Sequence, residues 1–165
     1  MQTPCMVQVP LVCDSPCWDD SLSVGVAALD EEHRHWFELV RAFQDGMASG
    51  LEPARLYGIL AQALLYTENH LANEENAMRL VGYPGYADHK RQHEVAKDAI
   101  HRISAEAAED HEIFEFLAVF LPDWLTRHIH STDRKFADWM RETNCQYHPL
   151  TRDHEAMKGG GRHAA

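Results

Sequence analysis

Two pairs of residues at helical spacing give the first sign of chemistry in this sequence. His70 and Glu74 stand four positions apart, and so do His89 and His93. Residues four apart lie one above the other on a helix face. Between the pairs, Gly82-Tyr83-Pro84-Gly85 reads as a tight turn. Two antiparallel helices joined there would aim a carboxylate and three imidazoles at one centre. That is the outline of a metal site inside a helical bundle.

The elements that must position these groups are legible from apolar periodicity. A first helix is expected over 30–49, with Asp30 as its N-cap and Glu31 and Glu32 in its first turn. His33 falls on its apolar face beside Trp36, Phe37 and Val40, whereas His35 falls on the polar side. A second helix is expected over 52–81, where His70 and Glu74 interrupt the stripe Leu56, Leu60, Ala63, Thr67, Leu71, Met78. Burying a lone carboxylate costs several kcal/mol unless a cation compensates. Glu74 therefore reads as compensated by metal, and Glu75 as a partly exposed residue near the helix end. A third helix over 87–109 carries His89 and His93 at the head of its stripe, with His101 on the polar side. A fourth over 112–142 carries His128 inward; Pro122 is expected to kink it or mark its start. Asp133 comes five residues after His128, roughly 140° round an ideal helix. It reads as a surface aspartate unless the helix is locally widened, as by a π-bulge.

These elements imply an all-α, up-down-up-down four-helix bundle over 30–143. An extended arm precedes it (1–29, broken by Pro4, Pro10 and Pro16) and a loosely ordered tail follows (144–165). Trp18 and the segment from Val24 to Leu29 are expected to pack on the helices.

Composition sets the limits. The chain has 165 residues and a formal net charge of −11, which disfavours nucleic acid and anionic membrane as partners. No apolar run approaches the roughly 20 residues that span a bilayer. The N-terminus is a poor secretory signal, so a cytoplasmic protein is the expectation. Cys5, Cys13, Cys17 and Cys145 match neither a redox pair nor a zinc cluster and read as free thiols. His148, His154 and His163 in the tail read as solvated.

Each expected helix thus carries an inward donor: His33; His70 and Glu74; His89 and His93; His128. Five imidazoles exceed the need of one tetrahedral zinc, and no cysteine lies on these faces. With carboxylates they suit two metals sharing bridging oxygens. Iron fits, and zinc, manganese and cobalt stay open.

The motifs L-D30-E-E-H33, H70-L-A-N-E74-E, H89-K-R-Q-H93 and W124-L-T-R-H128-I-H-S-T-D133 resemble those of the bacterial haemerythrins, in the same order. The resemblance spans about Trp18 to Trp139. It implies two non-haem iron ions: one held by His89, His93 and His128, the other by His33 and His70. Glu74, Asp133 and a solvent-derived oxygen would bridge them. It supplies the role of Asp133 that helix geometry does not. It also implies reversible binding of dioxygen at a vacancy on the two-histidine iron, in a dry pocket formed by Trp36, Leu71, Trp124, Leu125 and Ile129. The family often has leucine in place of Trp36 and phenylalanine in place of Leu71.

The expectation is a non-enzymatic oxygen carrier, store or supply protein. The alternatives are a diiron enzyme (peroxidase, ferroxidase, nitric-oxide handling) or a sensor acting through a protein partner. Ferritin-like carboxylate enzymes use two Glu-x-x-His motifs. Here Glu32–His35 is the single helical match, and its histidine faces outward.

Overall fold

The computed structural model describes residues 17–106 and 111–145. Cys5, Cys13, most of the expected arm and tail, and the tail histidines lie outside the described residues. All regular structure among the described residues is helical: a short 3-10 turn at Asp20–Leu22, then α1 (Ala27–Ala48), α2 (Pro53–Val81), α3 (Tyr86–Glu106), α4 (His111–His128), a π-helical turn at Ile129–Asp133, and α5 (Arg134–Glu142). α1 packs against α2 and α4, and α2 packs against α3. The fold is the expected helical bundle, with α4, the π turn and α5 together forming its fourth member.

The first helix begins three residues before the expected Asp30. Its N-cap is Val26, which makes no side-chain cap, and the Asp30 N–H already bonds the Val26 carbonyl at 2.9 Å. A short acid ahead of an apolar stripe has the look of a cap, but this one has another task. Asp30 is buried, and its carboxylate accepts from the Ser23 hydroxyl at 2.7 Å and the Val24 N–H at 2.8 Å. The segment so stapled buries Leu22 and Val24. From the other side, the Arg134 guanidinium donates to the carbonyls of Ser21 (2.8 Å) and Ser23 (3.3 Å).

α2 ends where the turn residues require. Gly82 takes the left-handed conformation at φ 71°, and the Tyr83 N–H bonds the Met78 carbonyl at 2.9 Å. Glycine is the residue that adopts this conformation without a Cβ penalty. The expected single helix over 112–142 is interrupted. The Arg134 N–H bonds the Ile129 carbonyl five residues back, the signature of a π turn. Pro122 does not mark a helix start; α4 runs through it from His111.

Below the donor cluster the bundle is closed by an apolar core that includes Phe43, Leu56, Leu60, Leu117 and Leu121. Phe43 and Phe114 meet edge to face at 5.8 Å, joining α1 to α4. The polar Gln44 on the buried face of α1 is satisfied, its amide donating to the Ala118 carbonyl at 2.7 Å.

Candidate metal centre

All seven expected donors are buried, none more than 4% exposed: His33, His70, Glu74, His89, His93, His128 and Asp133. The expected outward residues behave as read, His35 and His101 both being exposed. Five donors form the tightest group. Glu74, His89, His93, His128 and Asp133 each offer one ligand atom, and these atoms all lie within 4.8 Å of one another. His33 adjoins them through Asp133, its Nε2 being 3.3 Å from Oδ2. The His33 and His70 rings lie edge to face at 4.8 Å.

The π turn is why Asp133 belongs here. An i→i+5 turn brings residues five apart nearly into line, whereas an ideal α-helix would send Asp133 outward. It is fully buried instead. Its Oδ1 lies 2.9 Å from His128 Nε2 and 3.3 Å from His89 Nε2, while its Oδ2 faces His33.

Two observations test whether a metal fits. The first is the spacing of the donors. His93 Nε2 and His128 Nε2 are 3.0 Å apart, His89 Nε2 and Glu74 Oε2 3.2 Å, and His93 Nε2 and Glu74 Oε2 3.3 Å. Ligands at right angles around a metal, each at ~2.1 Å, would stand ~3.0 Å apart. The second is polar satisfaction. Both nitrogens of His33, His70 Nε2, Glu74 Oε1 and both Asp133 oxygens are buried, and despite the close approaches above none makes a well-oriented hydrogen bond. Buried polar atoms are nearly always paired, so this concentration of orphans needs a cation. The donor set fits one.

The protonation pattern supports this. Burial and the Asp133 charge push the Glu74 carboxyl up, but hydrogen bonds from His89 and His93 outweigh both and hold it low, at about 2. Asp133 is likewise pushed up by burial, yet the charge and contacts of His128, His33 and His89 hold it well below the usual carboxylate range. Both acids are therefore ionised at neutral pH, as ligation requires. Burial drives His93 down despite Glu74, favouring the neutral ring. In the metal-free protein His89 goes the other way. Burial lowers it, but Asp133 and Glu74 raise it further, to about 9.

Two residues that sequence reasoning missed hold the rings. Glu32 Oε2 accepts from His70 Nδ1 at 2.8 Å, and Glu75 Oε1 pairs with His93 Nδ1 at 3.1 Å. Glu75 is thus not the partly exposed helix-end residue expected of it. It is buried, and Lys90 and Lys97 approach it at 3.0 and 3.3 Å. Each acid adjoins a candidate donor in the sequence, Glu32 beside His33 and Glu75 beside Glu74, and that adjacency was the available signal. Such partners fix the ring orientation and strengthen the nitrogen that faces the metal.

Of the expected pocket residues, Trp36, Leu71, Leu125 and Ile129 are fully buried and Trp124 is partly buried. The Trp36 indole N–H donates to the Thr67 hydroxyl at 2.6 Å, one helical turn from both His33 and His70. The Trp124 ring stacks on His128 at 4.9 Å. Trp18 does anchor, as expected, and it stacks over the His33 ring at 6.3 Å. Cys17 and Cys145 are free thiols.

A helical bundle whose buried nitrogen and oxygen donors face one another around a common centre is the architecture of a non-haem metal protein. Comparison with known proteins narrows this to a family. Residues 24–140 match the family model described as the hemerythrin HHE cation binding domain. The chain belongs to the haemerythrin family. It is 31% identical over 147 residues to a protein named bacteriohemerythrin from Stenotrophomonas maltophilia, covering 88% of this chain and 92% of that one. It is 29% identical over 128 residues to the bacteriohemerythrin of Pseudomonas paraeruginosa, covering 76% and 82% of the two chains. A hemerythrin from Sipunculus nudus is 34% identical over 128 residues, covering 76% of this chain and 93% of its own. No solved structure matches the chain. A haemerythrin domain implies non-haem iron, and the buried histidine and carboxylate cluster fits that role. No described helix is long and apolar enough to cross a membrane.

Proposed function

We propose that this chain binds dioxygen reversibly at a pair of non-haem irons and acts as an oxygen carrier, store or supply protein. His89, His93 and His128 would hold one iron and His33 and His70 the other, with Glu74 and Asp133 spanning both. The single observation that carries this reading is the pose of Asp133. One of its oxygens faces His128 and His89 and the other faces His33. A carboxylate divided in this way between two groups of nitrogens is placed to bridge two cations. Glu74 supports it, with Oε2 towards His89 and His93 while Oε1 stays without a partner. The family membership and the name borne by the relatives agree with it.

When bound, a diiron pair supplies electrons that dioxygen can take up and return. The protein's share is to orient donors and exclude water. Reversibility requires a dry site, because water and protons would carry reduced oxygen away. Trp36, Leu71, Leu125 and Ile129, all without measurable exposure, suit that requirement. Trp124 adds its face over the His128 ring. The unequal histidine count would give the His33–His70 side fewer protein ligands, and that is the side on which dioxygen would have room.

The test is metal content together with absorption spectra of the full chain in air and under nitrogen. The expected result is about two irons per chain, with a spectrum that appears on oxygenation and reverses on its removal. A single bound zinc, or prompt and irreversible oxidation in air, would overturn the reading.

A further inference from the structure

The two carboxylates behind the histidine rings differ in their own company. Glu32 reaches from α1 to His70 on α2, and its second oxygen accepts from the Asn73 amide at 2.9 Å. That partner is neutral and offsets none of the Glu32 charge. Glu75 reaches from α2 to His93 on α3, but Lys90 and Lys97 approach its oxygens at 3.0 and 3.3 Å. Lys90 is shared with Glu94 at 3.1 Å, but together with Lys97 it still brings positive charge onto both Glu75 oxygens and offsets much of that carboxylate's charge. The Glu75 side chain is also the less exposed of the two, 11% against 25%. Water therefore does little to replace what the lysines supply.

A carboxylate that accepts the Nδ1 proton of a ligand histidine raises the electron donation of its Nε2. The strength of that effect follows the charge the carboxylate retains. His33 and His89 have no hydrogen-bond partner at Nδ1. The pattern is therefore lopsided: one ring backed by a charged acid, another by a neutralised acid.

We propose that Glu32 and Glu75 are positioning residues that make the two metal positions electronically unequal, with Glu32 enriching the position served by His70 and Lys90 and Lys97 muting Glu75 at the position served by His93. This inference rests on the dinuclear reading above. It assigns the stronger donor to the position with fewer protein ligands, where electron density must move towards dioxygen. The lysine pair keeps the other position from competing.

The test uses the full-length chain, freed of metal, titrated with cobalt(II), and separately the midpoint potential of the iron-loaded protein. Glu32→Gln should weaken one of the two cobalt sites by roughly 10- to 100-fold and raise the potential. Glu75→Gln should do the same several-fold less. Replacing both lysines (Lys90→Met with Lys97→Met) should lower the potential, and should lose that effect when Glu75→Gln is added. A merely structural role for the lysines would not depend on Glu75 in this way. Equal effects of the two glutamine variants, or a lysine effect that survives Glu75→Gln, would overturn the inference and leave the dinuclear reading standing. A cobalt titration of the unaltered chain that ends at one equivalent would overturn both.

Discussion

On the proposed dinuclear reading, Asp133 is the residue on which the difference between one metal and two would turn. It is fully buried, it is kept ionised by three histidines, and its oxygens face opposite ways. Asp133→Asn keeps the volume and removes the charge needed to span two cations. The variant is expected to hold about one iron per chain or fewer after reconstitution and dialysis, where the parent is expected to hold about two. The metal-free variant should also be less stable than the parent at neutral pH, because a carboxyl with a depressed folded-state pKa stabilises the fold there. Full iron occupancy in Asp133→Asn, measured by elemental analysis, would show that the aspartate does not bridge. Among single residues, the five inward histidines and Glu74 were legible from helical period alone, since each interrupts an apolar stripe. Glu32 and Glu75 were not. Their adjacency to His33 and Glu74 was a hint, but their partners are set by which helices become neighbours, and a one-dimensional pattern does not report which ring nitrogen an acid reaches across a seam.

At the scale of the element, the decisive feature is the π turn between α4 and α5. One of its exposed members, Ser131, donates its hydroxyl to the Arg127 carbonyl at 2.7 Å, and one of its buried members, Thr132, donates to Gln92 on α3 at 2.9 Å. Deleting Ser131 should let the segment close as a continuous α-helix. Asp133 would then follow His128 by four residues and stay on the inner face, as would Phe136 and Met140. Yet its carboxyl would no longer be aimed by the widened turn that now turns one oxygen towards His128 and the other towards His33. The expected outcome is a metal-free protein that melts a few degrees higher, because an uncommon turn has been replaced by a regular one, and that retains metal poorly. Melting curves with and without iron would check this, and unchanged iron retention would count against it. The four amphipathic segments and the Gly82 turn could be read from the sequence because apolar period and turn chemistry are local signals. The π turn could not, since a widened turn leaves no residue-type signature; only the resemblance to known motifs pointed to Asp133. The early start of α1 was missed for a related reason. Asp30 has the chemistry of a cap, and its use as a staple for Val24 depends on the path of the segment before it.

For the whole molecule, the metal and the fold share one set of charges, so their stabilities must respond to pH differently. In the metal-free state His89 has a folded pKa raised above its ordinary 6.5 to about 9, chiefly by Asp133 and Glu74 acting against burial. A raised pKa means stability fully present below 6.5 and lost as pH climbs through about 9. Glu74 and Asp133 have depressed folded pKa values, so their contribution is present above the ordinary carboxylate range and lost as pH falls through the lowered values. The metal-free bundle should therefore be most stable in mildly acidic to neutral solution. Ligation through His89, as proposed, would by contrast need the ring neutral, and each proton the metal displaces makes binding tighter as pH rises. Binding to the folded form alone adds stability in proportion to the logarithm of that affinity. The gap between the melting temperatures of the loaded and metal-free proteins should consequently widen from pH 6 to pH 9, with the metal-free curve falling and the loaded curve holding. Below about pH 4, where carboxylates and imidazoles alike take up protons, the gap should vanish as metal is released. Paired thermal melts across that range, with iron content measured at each point, would decide the matter. A gap that stayed constant from pH 6 to pH 9 would mean that His89 carries no proton for the metal to displace, and that Glu74 and Asp133 are balanced by some other cation.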